Sequence, residues 1–233
     1  MRLDQAVAAR HPSISRRKAR ELIAAGQVFV NDRPVRVSSR DVSDSDTVIV
    51  RESLASFAPL AISDEWIAFN KPAGLPTQPV RGRADVSLAE ILLAEYRTIY
   101  VVHRLDTPVS GVVLFARSAE AAAKFSRLFA NGEIRKTYLA RVEPPILKEM
   151  TIDSPIHDKD ALTIVRPREG NLVEVEIKTG RKHQIRIHLA SVGHPVIGDR
   201  RYGSRVVAPR LMLHAWKLEH AELGVIEAPS AID

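Results

Sequence analysis

Residues 101–111 read VVHRLDTPVSG, an apolar run that ends in His103, Arg104, Leu105 and Asp106 and then turns through Thr107-Pro108 to Ser110-Gly111. A carboxylate placed there, with a guanidinium two residues away, has two readings. It is the polar turn that closes a buried strand, or it is a group displayed at a strand end to a cleft, able to act as nucleophile, acid or base. A second concentration of polar chemistry is TGRKHQIRIHLASVGHPVIGDRRYG, residues 179–203. Ile185, Leu189 and Val192 fall at i, i+4 and i+7, which predicts a helix from near Gly180 to Gly193. Arg181, Lys182, His183 and Gln184 then stand at its start, where free N–H groups and cations suit an anion. Read alone, the same stretch is more often a solvated surface than a site.

Several chemistries lack their residues. There is no GxSxG, GxxxxGK[ST] or GxGxxG pattern, so neither a serine-hydrolase elbow nor a common nucleotide cradle is expected. The chain has no cysteine, which excludes disulfides, thiolate zinc sites and a Cys nucleophile. Eight histidines are present, but none at HxxxH or HExxH spacing, and no metal site is expected.

The elements that must position these residues fall in two groups. In residues 1–50, Leu3, Ala6 and Val7 make the apolar side of a short helix that His11-Pro12 stops. Ser15 can cap a second helix, SRRKARELIAAG, with Ala19, Leu22 and Ile23 apolar and Gly26 as its stop. VFV and PVRV flank Asn31-Asp32 as a hairpin, and TVIV adds a strand. Arg16, Arg17 and Arg20 are spaced to share a helix face, with Lys18 adjacent. Residues 51–58, RESLASFA, read as a linker. From Pro59 onward EWIAFN, VVLFAR, TYLARV, LVEVEIK and LMLHAWKLE read as strands. SLAEILLAEY and SAEAAAKFSRLFANG read as helices, the latter between a Ser118 cap and Gly132. Strands joined partly directly and partly through helices predict an α+β fold with a large, mixed, mostly antiparallel sheet.

The 233 residues carry 45% hydrophobic and 27% charged side chains, a globular mix, with a net charge of +6. The pI of about 9.8 favours a polyanionic partner, most simply nucleic acid. No apolar stretch approaches the roughly 18–20 residues of a membrane span, and the N-terminus lacks a secretory pattern. A cytoplasmic monomer is the expectation.

Two resemblances sharpen these readings. The pattern Ser15-Arg16, Ala19, Leu22-Ile23, Gly26, Val28, Val30 and Asn31 is similar to the S4 RNA-binding domain, with Asp32 where that family commonly has Gly. It makes Arg16, Arg17 and Arg20 candidate RNA contacts. NKPAG (70–74), HRLDTPVSG (103–111), KTYLARV (136–142), GRKHQIRIHL (180–189), GHPVIGDRRYG (193–203) and LMLHAWKL (211–218) resemble, in this order, the RluA-type pseudouridine synthases. Val109 and Gln78 depart from the residues usual at their positions. The resemblance implies isomerisation of uridine to pseudouridine in structured RNA, ribosomal RNA first and transfer RNA as the alternative, without a cofactor. It implies Asp106 as the catalytic carboxylate and Arg186 as its partner, favouring the ionised form. It also implies that Tyr138 stacks on a flipped base. His103, Arg104, Arg181, Lys182, His183, Gln184 and Arg201 become candidate substrate contacts, with Arg104 filling the space the base leaves. Without the resemblance, Arg186 reads as half of a structural ion pair and Tyr138 as a strand aromatic. A non-catalytic RNA-binding or assembly factor of the same fold is the competing reading. A small-molecule glycosidase would need a second working carboxylate; Asp199 reads better as a loop anchor.

Overall fold

Leu3, Ala6 and Val7 on α1 (Leu3–Arg10) and Ala19, Leu22 and Ile23 on α2 (Arg16–Ala24) close on one another in the computed structural model. The structure describes all residues except 25, 32, 51–56, 81–85, 94, 231 and 233, and the side chains of 33 and 34. Ser15 Oγ accepts the Lys18 N–H at 3.2 Å at the start of α2, satisfying one of the donors a helix start leaves open. Against these helices lies a three-stranded antiparallel sheet in the order β2-β1-β3, from β1 (Val28–Val30), β2 (Arg33–Pro34) and β3 (Val48–Val50). Alternation along β1 sends Val28 and Val30 into this small core. Phe29 turns the other way and joins a cluster with Phe57, Val86 and the larger sheet. Asp32 of the predicted hairpin turn and residues 51–56 of the predicted linker lie outside the described residues.

The larger sheet has ten strands. Eight form a path, β4 (Pro59–Ile62), β5 (Trp66–Lys71), β7 (Ser110–Ala116), β12 (Leu213–His220), β8 (Arg135–Arg141), β11 (Leu172–Ile177), β10 (Thr163–Pro167) and β9 (Met150–Ile152). β6 (Tyr100–Val101) pairs with β7 and β13 (Gly224–Glu227) with β12. Every pairing is antiparallel except β7 with β12. At that seam Ser110 and Gly111 face His214 and Ala215. A Cβ on Gly111 would stand 2.1 Å from the Ala215 carbonyl oxygen, and its φ is +120°, so only glycine fits.

β7 is buried throughout, which explains its unbroken apolar run. Val113 and Phe115 enter the core of one face with Ile67, Phe69, Val175, Ile185 and Leu213. Val112, Leu114 and Ala116 enter the other with Trp66, Ala68 and Phe125 of α4 (Ala119–Ala130). Ser118 caps α4 by accepting the Ala121 N–H. α3 (Leu88–Leu93) and α5 (Gln184–Ser191) complete the helices.

Three sequence expectations change. Strands β4, β6, β9, β10 and β13 are all five residues or fewer, too short for periodicity to reveal. The strand expected to carry Asp106 ends at Val101, so Asp106 belongs to the loop before β7. α5 starts at Gln184 rather than near Gly180, because His183 takes a left-handed conformation at φ +58°, ψ +22°.

Candidate active site

The loop that carries Asp106 is fastened on both sides of it. Thr77 Oγ1 donates to the Leu105 carbonyl at 3.0 Å and accepts the Leu105 N–H at 3.1 Å. On the other flank the Thr107 carbonyl accepts from the Gly74 N–H at 2.8 Å and from Lys71 Nζ at 3.3 Å. Lys71, fully buried, also donates to the carbonyls of Pro72 and Leu75 at 2.9 and 2.8 Å. Burial pulls the Lys71 ammonium down to about 7, with the Asp106 charge opposing and Arg210 reinforcing. The NKPAG segment is therefore the seat of the Asp106 loop, and Val109 N–H closes a turn onto the Asp106 carbonyl at 3.0 Å.

Two donors from the α5 region face one oxygen of Asp106. His183 Nε2 is 3.6 Å and Arg186 Nη1 3.8 Å from Oδ2. Both exceed ordinary hydrogen-bond length. Neither oxygen has a hydrogen-bond partner among the described residues, and the carboxylate is 30% exposed. Arg186 is anchored elsewhere, donating through Nε and Nη2 to the two oxygens of Asp199 at 2.6 and 2.8 Å. Burial works against the Arg186 charge, but those bonds and the Asp106 field outweigh it and raise its pKa. Asp199, 1% exposed with both oxygens engaged, is an anchor rather than a second working carboxylate. The Tyr202 ring lies under Arg186 at 4.9 Å, and its hydroxyl is 2.8 Å from His183 Nδ1.

Tyr138 on β8 stands between Val175 of β11 and Ala215 of β12. It packs on the cluster that holds Leu105 and Val109, on either side of Asp106 in the chain. Burial, and after it the Asp106 charge, raises its phenol, which stays neutral. A partly exposed carboxylate thus has a fixed guanidinium 3.8 Å away and a neutral phenol within reach of its charge.

The other expected contacts divide. Arg104, Lys182 and Arg201 are exposed; Lys182 and Arg201 both act electrostatically on His183. Arg181 is half-buried, its Nε donating to the Asp160 carbonyl at 2.8 Å. Gln184 is instead inside. Its Oε1 accepts from Thr179 Oγ1 and the Arg181 N–H, and its Nε2 donates to the Leu162 carbonyl and Thr163 Oγ1. Those four bonds use its whole capacity, and the one to Arg181 removes an N–H from the anion-binding helix start that the sequence suggested. His103 also turns away. Its Nε2 accepts the Leu114 N–H at 2.9 Å and its ring stacks on Phe129 of α4 at 4.1 Å. Burial, with Lys136 adding to it, pushes its imidazole down to about 3, so it is neutral.

In the first fifty residues Arg16 and Arg20 do not simply present one open face. Each donates through Nε at 2.9 Å to Oδ2 of the buried Asp4, and Arg2 Nε reaches Oδ1 at 3.3 Å. Burial would raise the Asp4 pKa, but the bonds from Arg20 and Arg16 hold it at about 2. Arg17, its side chain 92% exposed, lies 3.7 Å from Glu21.

Lys71, Thr77, Tyr202 and Arg210 were not singled out by the sequence reading. Lys71 and Tyr202 do lie within quoted motifs, NKPAG and GDRRYG, so the signal was present without a partner to explain it. Thr77 and Arg210, which donates to Ser110 Oγ at 3.0 Å, carry no sequence signal beyond their polarity.

Comparison with known proteins agrees with this geometry. The RNA pseudouridylate synthase family matches residues 65–191 and the S4 domain residues 1–48. An uncharacterized RNA pseudouridine synthase of Aquifex aeolicus is 32% identical over 87% of this chain and 77% of its own length. Ribosomal large subunit pseudouridine synthase D of Xylella fastidiosa is 32% identical over 95% and 80%. Among solved structures, human RNA pseudouridylate synthase domain containing 1 has the same fold at a TM-score of 0.66 and 23% identity, covering 79% of this chain and 89% of that one. With these matches spanning both units, the chain belongs to the RNA pseudouridine synthase family and carries an S4 domain at its N-terminus.

Proposed function

We propose that this pseudouridine synthase isomerises uridines of large-subunit ribosomal RNA with Asp106 as its catalytic carboxylate. The observation that carries this reading is Asp106 itself: a carboxylate 30% exposed, faced by His183 at 3.6 Å and Arg186 at 3.8 Å, with neither oxygen tied up in a hydrogen bond among the described residues. In the reaction the N1–C1′ bond breaks, the base turns, and C5 bonds to C1′. C5 loses a proton and N1 gains one, so the atoms balance. Attack on C1′, attack on the base and removal of the C2′ proton would all use this same carboxylate. The uracil leaves as a delocalised anion and stays bound, so one carboxylate suffices where glycosidases employ two.

A stacked uridine must leave its helix to reach a recessed carboxylate. Tyr138 offers the ring on which the flipped base rests, and Arg104 is the exposed guanidinium that fills the vacated place. Arg181, Lys182 and Arg201 take phosphates, while Arg16, Arg17 and Arg20 grip RNA farther away. Residues 1–50 form the gripping unit and residues 59–233 the isomerase, joined through 51–58. The ribosomal assignment is supported by the names of several relatives, among them those from Xylella fastidiosa and Vibrio cholerae.

The test is tritium release from RNA labelled at uridine C5, comparing ribosomal and transfer RNA. Wild-type chain is expected to release tritium from ribosomal RNA, and Asp106→Ala to slow release by about 10³-fold or more. Release from transfer RNA alone would reassign the substrate. A folded, RNA-binding chain that releases none from either would be a binding or assembly factor.

A further inference from the structure

Two arms, each braced from behind, face Asp106. The first, Arg186 with Asp199 behind it, rests on a buried bidentate pair. The second has the same layout. His183 Nε2 faces Oδ2 of Asp106 at 3.6 Å, and behind it Nδ1 meets the Tyr202 hydroxyl at 2.8 Å. His183 is fixed further by its left-handed backbone, φ +58°, a conformation non-glycine residues adopt at a cost. The Tyr202 ring meets the imidazole edge-on, 5.7 Å between centroids.

We propose that Tyr202 and His183 are positioning residues for Asp106: the Tyr202 hydroxyl donates to His183 Nδ1, leaving Nε2–H aimed at Oδ2 and Oδ1 as the reacting oxygen. This rests on the isomerase reading of the site. The opposite tautomer would set a bare Nε2 lone pair against a carboxylate oxygen, acceptor against acceptor. Arg186 at 4.9 Å and Arg201 at 5.7 Å from the Tyr202 ring polarise its O–H outward, in keeping with a donor. The arm works only with a neutral imidazole, since an imidazolium would pair with Asp106 and hold its carboxylate back from the substrate. Burial lowers the His183 pKa; Asp106 pulls it upward, while Arg186, Arg201 and Lys182 push it down.

The first test needs no activity. Imidazole ¹⁵N shifts of the full chain, with His183 assigned by its disappearance in His183→Asn, are expected to show the Nε2–H tautomer at neutral pH. An Nδ1–H tautomer overturns the proposal. The second is single-turnover tritium release. Tyr202→Phe is expected to slow it about 10- to 100-fold, the scale of a small positioning error, with RNA affinity unchanged. The acid limb of its pH–rate profile should move to higher pH, because a bond favouring the neutral imidazole is gone. In a His183→Asn background Tyr202→Phe should add nothing; an effect that persists there overturns the proposal. Wild-type chain that binds RNA without releasing tritium would refute the isomerase reading instead, and the tautomer would still decide the arm.

Discussion

Asp199 takes Nε and Nη2 of Arg186 at 2.6 and 2.8 Å, and Nη1 is the atom that Arg186 turns toward Asp106. The residue that aims the guanidinium is thus a buried carboxylate with both oxygens already engaged. Removing one partner of a buried pair strands the other's charge, so Asp199→Ala should lower stability by about 3–5 kcal/mol. Asp199→Asn, which keeps one acceptor, should cost less. Chemical denaturation measures both, and single-turnover tritium release should fall in the same order.

Thr77 tests the seat of the loop. Thr77→Val keeps the side-chain shape and removes both bonds to the Leu105 backbone, leaving a buried N–H and carbonyl unpaired. The expected loss is about 1–3 kcal/mol. Because Leu105 adjoins Asp106, the isomerisation rate should drop while RNA affinity holds. A variant that loses stability and keeps its full rate would show that the seat does not set the position of Asp106.

The exposed cations separate by what they do. Lys182→Gln with Arg201→Gln should weaken RNA binding at low salt and flatten its salt dependence. The slope of log K against log salt should fall by roughly 0.7–0.9 for each phosphate that is no longer neutralised. Arg104→Ala should behave differently, slowing isomerisation at saturating RNA while leaving that slope nearly intact. Filter binding across a salt series, paired with tritium release, distinguishes the two.

Acid should unfold the chain in a defined window. Asp4 is held near 2 against an ordinary 3.8, and Glu176 near 2 against 4.5. In each case burial raises the pKa and arginine or lysine bonds outweigh it. A carboxyl lowered by folding contributes its full stability above the ordinary value and loses it as pH falls through the folded one. Melting temperature should therefore fall steadily from about pH 4.5 to pH 2. Asp4→Asn should be less stable than wild type at pH 7, and the gap should close toward pH 2.

The long elements were legible because their signals are local. Ser118 and Gly132 bracket α4, and the alternation of LVEVEIK gives β11. Asp106, Tyr138 and Arg186 were reachable only through six ordered motifs, since nothing in their spacing says that a loop, a strand and a helix converge. The converse error has the same origin. His103 adjoins Arg104 and Asp106 in sequence, yet a bend after Val101 sends its ring to Phe129 on the far side of the sheet. Gln184 lies in the HQIR motif but serves the backbone around it, a role that appears only when Leu162 and Thr163 are brought beside it. The left-handed turn at His183, which delays α5, carries no compositional mark because histidine is not glycine.

The seam between β7 and β12 has a consequence for how the protein is made. β12 is no late addition to a sheet edge; it lies between β7 and β8, so among the described residues the two halves of the sheet are joined in strand pairing through β12. Until that stretch has left the ribosome, β4, β5 and β7 can pair among themselves, and β8 to β11 likewise, with open strand edges on both sides. A chain without that stretch would leave the facing edges of β7 and β8 unpaired, and an open strand edge invites wrong pairing. The fit of β12 beside Gly111 is therefore what closes the sheet.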